Sequence, residues 1–361
     1  MINKLVQGLP ATVPFVGPEA IVRAKGQEFI ARLGANESVF GPSPAVYHAL
    51  RSAPDEIYKY PDPEAYPLRS ALADHVSVSI ASIALGEGID GLLGVIVRAV
   101  MEPGDVAVTT AGAYPTFNYH VAGFGGRIEA VPMRDDREDL TELVTRAHEV
   151  QAKLLYVSNP NNPMGTVNTA VDVMAAMDAL PDGCMMILDE AYIELADPGT
   201  NPAIDVTRSN VIHARTFSKA YGMAGQRVGY LIGAPSFISE LDKIRNHFGV
   251  NRLGQIAALA ALQDQSYLSD VIEKTRAGRA RLARIAGDNG LIPIPSQTNF
   301  VTMDCGGVDR ANRILTALIE ERFFVRKPMV PPQDRCIRVS VSIDSEIDIF
   351  EATLPRVLQG L

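Results

Sequence analysis

The sequence predicts an α/β fold built on a mainly parallel sheet, and three observations carry that prediction. Strand-like and helix-like segments alternate from about residue 80 to residue 234, the pattern of parallel strands joined by crossover helices. Several strand candidates are unbroken apolar runs, as expected where both faces of a strand are covered. Those runs end in polar residues, and open parallel sheets place ligands just beyond the carboxyl ends of their strands.

Seven strands are expected in this region, in the order SIALG, VAVTT, RIEAVP, KLLYVSNP, MMILDEAY, VIHARTFS and VGYLIG. Helical patterns such as GLLGVIVRAVME and TAVDVMAAMDAL lie between them. Beyond residue 235 the pattern changes. A long helical region, PSFISELDKIRNHFGVNRLGQIAALAAL, leads into a charged helix from about Tyr267 to Asn289. TNFVTMD, a helix RANRILTALIEER, FFVRKP and IRVSVS then read as a smaller α/β unit. The first 45 residues are rich in proline and glycine and read as an arm. The expected division is therefore 1–45 for the arm and a segment of the small domain, 46–245 for the large domain and 246–361 for the small C-terminal domain. A chain of 361 residues has room for two such cores.

Composition narrows the function. A formal net charge of -9 argues against an extended nucleic-acid footprint or an anionic membrane surface, while leaving room for a local basic pocket. Cys184, Cys305 and Cys336 are scattered without a CxxC, which favours a reduced, cytoplasmic setting over a disulfide framework or a zinc site. The six histidines show no ligand spacing, so no metal is expected. The N-terminal stretch MINKLVQGLPATVPF lacks the apolar core of a secretory signal. GLLGVIVRAVM is too short to span a membrane and contains Arg98.

The polar strand ends carry the chemistry. LLYVSNPNNPMG ends at Ser158 and Asn159, MMILDEAY at Asp189 and Glu190 with Tyr192 beyond, and HARTFSK at Ser218 and Lys219. Taken singly, an Asn-Pro pair is a turn, an acidic residue after a strand is a helix cap, and a strand-end lysine reaches for water. Taken together, an amide, a carboxylate, a phenol and an amine at successive strand ends converge on one crevice. A pyridine cofactor with an aldehyde, a phenolic oxygen and a phosphate needs that set. The amine condenses with the aldehyde, and the carboxylate keeps the ring nitrogen protonated. Amide and phenol bind the phenolic oxygen, while Thr216, Ser218 and Arg227, all close to Lys219, can hold the phosphate.

With these segments in view, the chain resembles the fold-type I pyridoxal-phosphate aminotransferases, in the histidinol-phosphate aminotransferase-like branch. The matching pieces are LGANESVFGPSP, YPDPEAYPLRSALA, GEGID, PGDVAVTTAGAYPTFNYH, VSNPNNPMGT, LDEAY, TFSKAYGMAGQRVGY, TNFV, FFVRKP and IRVSVS, in family order over nearly the whole chain. The resemblance implies an aspartate aminotransferase-like large domain that binds pyridoxal 5'-phosphate. It implies that Lys219 forms the covalent link to the cofactor, Asp189 pairs with the pyridinium, and Tyr192 and Asn162 bind the phenolic oxygen. Phe117 stands in the place of the aromatic that stacks on the ring. Gly88, Ile89 and Asp90 open the helix that receives the phosphate, completed by Thr216, Ser218 and Arg227. Tyr60 corresponds to a tyrosine that reaches the phosphate of a second subunit, which implies a homodimer. Arg338 matches the arginine that clamps the substrate carboxylate, and Asn36 lines the same pocket.

The chain also departs from the family pattern. Ile89 replaces a hydroxyl or small residue, Met164 replaces a threonine, and Phe15 stands where the branch often has tyrosine near the substrate. Arg326, in contrast, matches an arginine that meets a substrate phosphate. The reaction expected is transfer of an amino group between an amino acid or amino-alcohol phosphate and a 2-oxo acid, with histidinol phosphate and 2-oxoglutarate as one pair. An aromatic amino acid aminotransferase and a decarboxylase of the threonine-phosphate type stay open as alternatives. A ligand-sensing regulator of the same fold would carry a basic DNA-binding extension, which the acidic charge does not favour.

Overall fold

The protein is described here by a computed structural model covering residues 1–10 and 16–360, so Phe15 lies outside the described residues. A short strand β1 (Ala31–Arg32) precedes the seven strands of the main sheet. These are β2 (Ile83–Gly86), β3 (Val106–Thr110), β4 (Arg127–Val131), β5 (Leu154–Ser158), β6 (Met185–Asp189), β7 (Val211–Thr216) and β8 (Gly229–Ile232). Each falls on one of the seven expected runs. Their order across the sheet is β2-β8-β7-β6-β5-β3-β4, and β8 alone runs antiparallel to its neighbours.

The unbroken apolar runs follow from two cores, one on each face. Leu154, Tyr156, Ile187 and Ile212 pack on one face against the helices Gly88–Val100 and Pro115–Phe124. Leu155, Val157, Met186 and Leu188 pack on the other, against Leu140–Glu149 and Ala170–Asp178. Successive residues of a strand point to opposite faces, so a strand buried on both must be apolar throughout.

The smaller unit holds a three-stranded antiparallel sheet of β9 (Ile292–Pro293), β10 (Phe300–Asp304) and β12 (Cys336–Ser340). Next to it β1 pairs in parallel with β11 (Phe323–Phe324), and Ala31 and Leu33 join its core. The N-terminal region is thus more than an arm, with further helices at Lys4–Gly8 and Pro18–Lys25.

Two expectations differ from the structure. The long helical region 235–262 is two helices, Pro235–Leu241 and Arg252–Gln263. Asn251 starts the second, its side chain accepting from the Gly254 amide as an N-cap does. The packing also does not change hands at residue 246. Ala257, Ala258, Ala261 and Leu262 belong to a core with Leu68, Leu72 and Tyr230 of the large unit. The helix Gln265–Asp288 spans both units, giving Leu268 to the large core and Leu282, Ile285 and Ala286 to the small one.

Candidate active site

The carboxyl ends of β5, β6 and β7 open on a cavity of about 270 Å³. Asp90, Tyr114, Asn162, Asp189, Tyr192, Thr216, Ser218, Lys219 and Arg227 all line it. A larger open groove of about 850 Å³ lies along the helices Leu140–Glu149 and Ala170–Asp178, lined mostly by charged and hydroxyl side chains of the surface. It holds Arg134 and Arg137 but no lysine, and none of the strand-end residues that line the smaller cavity.

Asp189 forms the floor. It ends a buried strand on the face shared with Tyr156 and Ile187, so alternation turns its side chain under the cavity. Its Oδ2 accepts from the Tyr156 hydroxyl at 2.6 Å and its Oδ1 from the Ala191 amide at 2.9 Å. Burial pushes the carboxyl up to about 6, against the opposing pull of those two donors and of the Lys219 charge. Glu190, the next residue, is fully buried behind the cavity, where Arg215 Nε donates to its Oε2 at 2.7 Å and Asn201 to its Oε1 at 2.8 Å. Burial works against its charge too, but the Arg215 and His213 charges overcome it and hold the carboxyl near 2.

Lys219 follows β7 and is half-buried. Its Nζ donates to the Asn36 carbonyl at 3.2 Å and lies 5.6 Å from the Tyr192 ring centre. Asn36 has a left-handed backbone (φ 54°), a conformation asparagine tolerates better than most residues. That bend lets its amide nitrogen donate to the Tyr192 hydroxyl at 3.0 Å while its Oδ1 accepts from Ser340 at 3.2 Å. Residues from the N-terminal segment, the large sheet and β12 thereby meet at one asparagine.

Opposite Lys219, the start of the helix Gly88–Val100 makes an anion cradle. Gly88 has φ 75°, and a Cβ there would stand 2.6 Å from Arg227 Nη2, so glycine is required for the arginine to close in. Arg227 donates to Ser218 Oγ at 3.3 Å and to Asp90 Oδ2 at 3.2 Å, and Thr216 Oγ1 donates to Ser218 Oγ at 2.9 Å. Free amides at a helix N-terminus, an arginine and two hydroxyls are the donors that a phosphate takes. Ile89 costs the cradle one hydroxyl and leaves its backbone donor in place.

On the small-unit side, Arg338 of β12 donates to Asn162 Oδ1 at 2.6 Å and to the Gly34 carbonyl at 3.1 Å. Its guanidinium lies 5.1 Å from the Phe300 ring, and its buried Nε has no acceptor among the described residues. Burial pulls its pKa down to about 10, which leaves it a cation at neutral pH. Arg326, two residues past β11, and Arg338 exchange backbone hydrogen bonds as an isolated bridge; Arg326 donates to the Val16 carbonyl at 2.7 Å.

Two residues singled out in the sequence lie away from the cavity. Phe117 is fully buried and stacks on Tyr156, with ring centres 4.8 Å apart and planes 13° apart. The aromatic of this segment that lines the cavity is Tyr114, three residues earlier. The helix starts at Pro115, so Tyr114 stands at its open end facing the strand tips while Phe117 turns inward to the core. Proline at the first helical position marks that boundary in the sequence and is the signal that separates the two. Tyr60 is 79% exposed and packs beside Phe248 at 5.0 Å, on the outside of the chain. Glu138 was not singled out at all. It is buried under the Asn-Pro loop, accepting from Ser158 N and from Asn161 Nδ2 at 2.8 Å, and burial pushes it up to about 8.

The site enclosed between the two units is that of an enzyme which transfers amino groups. A model of aminotransferase class I and II matches residues 30–350, and the chain belongs to that family. Among solved structures it is similar to the histidinol-phosphate aminotransferase of Sinorhizobium meliloti in complex with pyridoxal-5'-phosphate. That similarity has 50% identity and a TM-score of 0.97 over 99% of this chain and 98% of the other. Histidinol-phosphate aminotransferases of Bacillus velezensis (32% identity, 94% of this chain and 95% of the relative) and Geobacillus (33%, 99% and 98%) are similar in sequence. An aspartate aminotransferase of Thermus thermophilus shares the fold, with a TM-score of 0.80 at 23% identity. No helix among the described residues is long and apolar enough to cross a membrane.

Proposed function

We propose that this aminotransferase binds pyridoxal 5'-phosphate in the 270 Å³ cavity and takes histidinol phosphate as amino donor, with a 2-oxo acid such as 2-oxoglutarate as acceptor. The residues fit the cofactor. Gly88 opens a cradle that any side chain would fill, and Arg227, Ser218, Thr216 and the amides of Ile89 and Asp90 supply phosphate donors. Asp189 offers a carboxylate to the ring nitrogen, Tyr192 and Asn162 flank the phenolic oxygen, and Tyr114 covers a ring face.

When bound, the cofactor supplies an aldehyde for amines and a protonated ring that draws electron density from the substrate α-carbon. Lys219 would hold the cofactor through its aldehyde. Its Nζ would also carry the substrate's α-proton as general base and acid. Asp189 would stay ionised and hold the proton on the ring nitrogen. Asn36 keeps Tyr192 and Lys219 in register, because it hydrogen-bonds both.

The observation that carries the substrate reading is the Arg338 guanidinium, half-buried without a carboxylate partner among the described residues, with Arg326 bridged to it through the backbone. Two neighbouring arginines suit a phosphate tail or a dicarboxylate, taken in turn by donor and acceptor. A panel of amino donors with 2-oxoglutarate tests it: histidinol phosphate should outpace phenylalanine and aspartate by kcat/KM. Release of carbon dioxide in place of a 2-oxo product would overturn it in favour of decarboxylation.

The same reading makes the protein a homodimer. Ile57, Tyr58, Tyr60 and Phe248 are exposed together on one face, an apolar surface that a second copy would cover. Tyr60 would then reach the neighbouring cradle. Light scattering that gives the mass of one chain would remove Tyr60 from the site. Three buried free cysteines support a cytoplasmic setting.

A further inference from the structure

Tyr156 is the one fully buried residue of β5 whose side chain carries a polar tip. It lies on the sheet face beneath the cavity, and its hydroxyl donates to Asp189 Oδ2 at 2.6 Å. Its ring and its backbone are each held. Phe117 stacks on it at 4.8 Å, and Thr109 Oγ1 on the neighbouring strand donates to its carbonyl at 3.3 Å. Burial raises the phenol well above its ordinary value, so it is a donor and never an acceptor of charge at any working pH.

A carboxylate this deep has a problem of protonation. Desolvation favours the neutral acid, and a neutral acid has no charge to set against a pyridinium. A short bond from a neutral hydroxyl to the ionised oxygen favours the charged form, and each carboxylate oxygen, bonded to one donor, keeps a lone pair for the cavity. The other charged and titratable groups around the pair are Asp90 and Lys219 toward Asp189, and Tyr114 and Glu138 toward Tyr156.

We propose that Tyr156 is a positioning residue of the amino-transfer site, keeping Asp189 ionised and aimed into the cavity, with Phe117 as the ring that holds Tyr156 in place. Phe117 therefore bears on the cofactor at one remove, through the tyrosine it stacks on. This inference rests on the proposed binding of pyridoxal 5'-phosphate for its consequence, though not for its geometry.

The decisive variant is Tyr156→Phe, which keeps the ring and the stack and removes only the hydroxyl. In the protein freed of cofactor, carbon-13 labelling of aspartate reads the Asp189 carboxyl directly; its titration midpoint should move to higher pH. Pyridoxal 5'-phosphate affinity, read by fluorescence quenching, should fall about tenfold or more at pH 8, the size of a hydrogen bond to a charged group. The loss should grow as the pH falls toward 6, while the unfolding temperature barely moves. Replacement of Tyr156 by fluorotyrosine, a stronger donor, should shift the carboxyl midpoint the opposite way, and decides the matter if the phenylalanine variant folds poorly. An unchanged Asp189 midpoint in both variants overturns the role of Tyr156. If the midpoint moves as stated but neither wild type nor variant binds the cofactor, the tyrosine–aspartate coupling stands and the cofactor reading fails.

Discussion

Asp189 and Glu190 are adjacent carboxylates at the end of one strand, both buried, and their surroundings drive them in opposite directions. Glu190 turns away from the cavity and meets Arg215, which holds it near 2. Asp189 turns under the cavity and meets only neutral donors, Tyr156 and the Ala191 amide, and sits near 6. The difference separates two uses of a buried charge. One is matched inside the protein and contributes to the fold. The other is left with an open edge, at a cost in stability, so that a cation brought in from outside can match it.

The largest break in this contrast comes on the cavity side. Lys219→Ala should reduce amino-transfer turnover on the order of 10⁴-fold, the upper range for a positioned proton carrier, while noncovalent cofactor binding persists. Steady-state rates with the best donor, alongside an absorbance titration with the cofactor, check both halves. Behind the cavity, Glu190→Gln takes from the buried Arg215 the carboxylate it hydrogen-bonds, leaving only Glu194, itself pushed up to about 7 by burial, to act on it. Stability should fall by about 3–5 kcal/mol, measured by urea unfolding.

Asp189→Asn should sharpen the comparison by moving stability and activity in opposite directions. A carboxyl raised from about 3.9 to 6 costs about 2–3 kcal/mol when ionised, so the cofactor-free variant should be more stable than wild type at pH 8 by roughly 2 kcal/mol. Turnover should drop about 10²–10³-fold with the loss of the charge facing the ring nitrogen.

The pH dependence has matching signs. Glu190 is depressed below its unfolded value of about 4.3, so its contribution is whole above that pH and is lost as pH falls toward 2. Asp189 is raised, so its penalty is present above pH 6 and is relieved as pH falls from 6 toward 3.9. Unfolding of wild type, Glu190→Gln and Asp189→Asn between pH 3 and pH 8 should separate the two limbs. The smallest effect is at the ring face. Tyr114→Ala should weaken cofactor binding by about tenfold and Tyr114→Phe by much less, because a stacked ring supplies about 0.5–1.5 kcal/mol and Phe retains it.

Much of this was legible in the sequence because two kinds of signal coincide. Strands covered on both faces must be apolar throughout, so the seven runs stand out from the helices between them. The polar residues that interrupt them, Asp189 and Lys219, cannot be explained by packing. What was hidden depends on direction rather than identity. Tyr114 and Phe117 differ by less than one helical turn, and only the helix start decides which faces the cavity. Tyr156 is concealed because a strand buried on both faces shows no alternation to reveal where a hydroxyl points. The change of core along Gln265–Asp288 is hidden as well, since one continuous helix serves both units without a break in its pattern.

Asn36 lies 183 residues from Lys219 and 304 from Ser340, yet it touches both. A growing polypeptide can finish its entire main sheet and still lack this joint until translation has passed residue 340. On the function proposed above, cofactor loading at this joint is therefore a late event. A lysine emerging earlier lacks the Asn36 carbonyl and the Tyr192 ring that flank it in the folded chain.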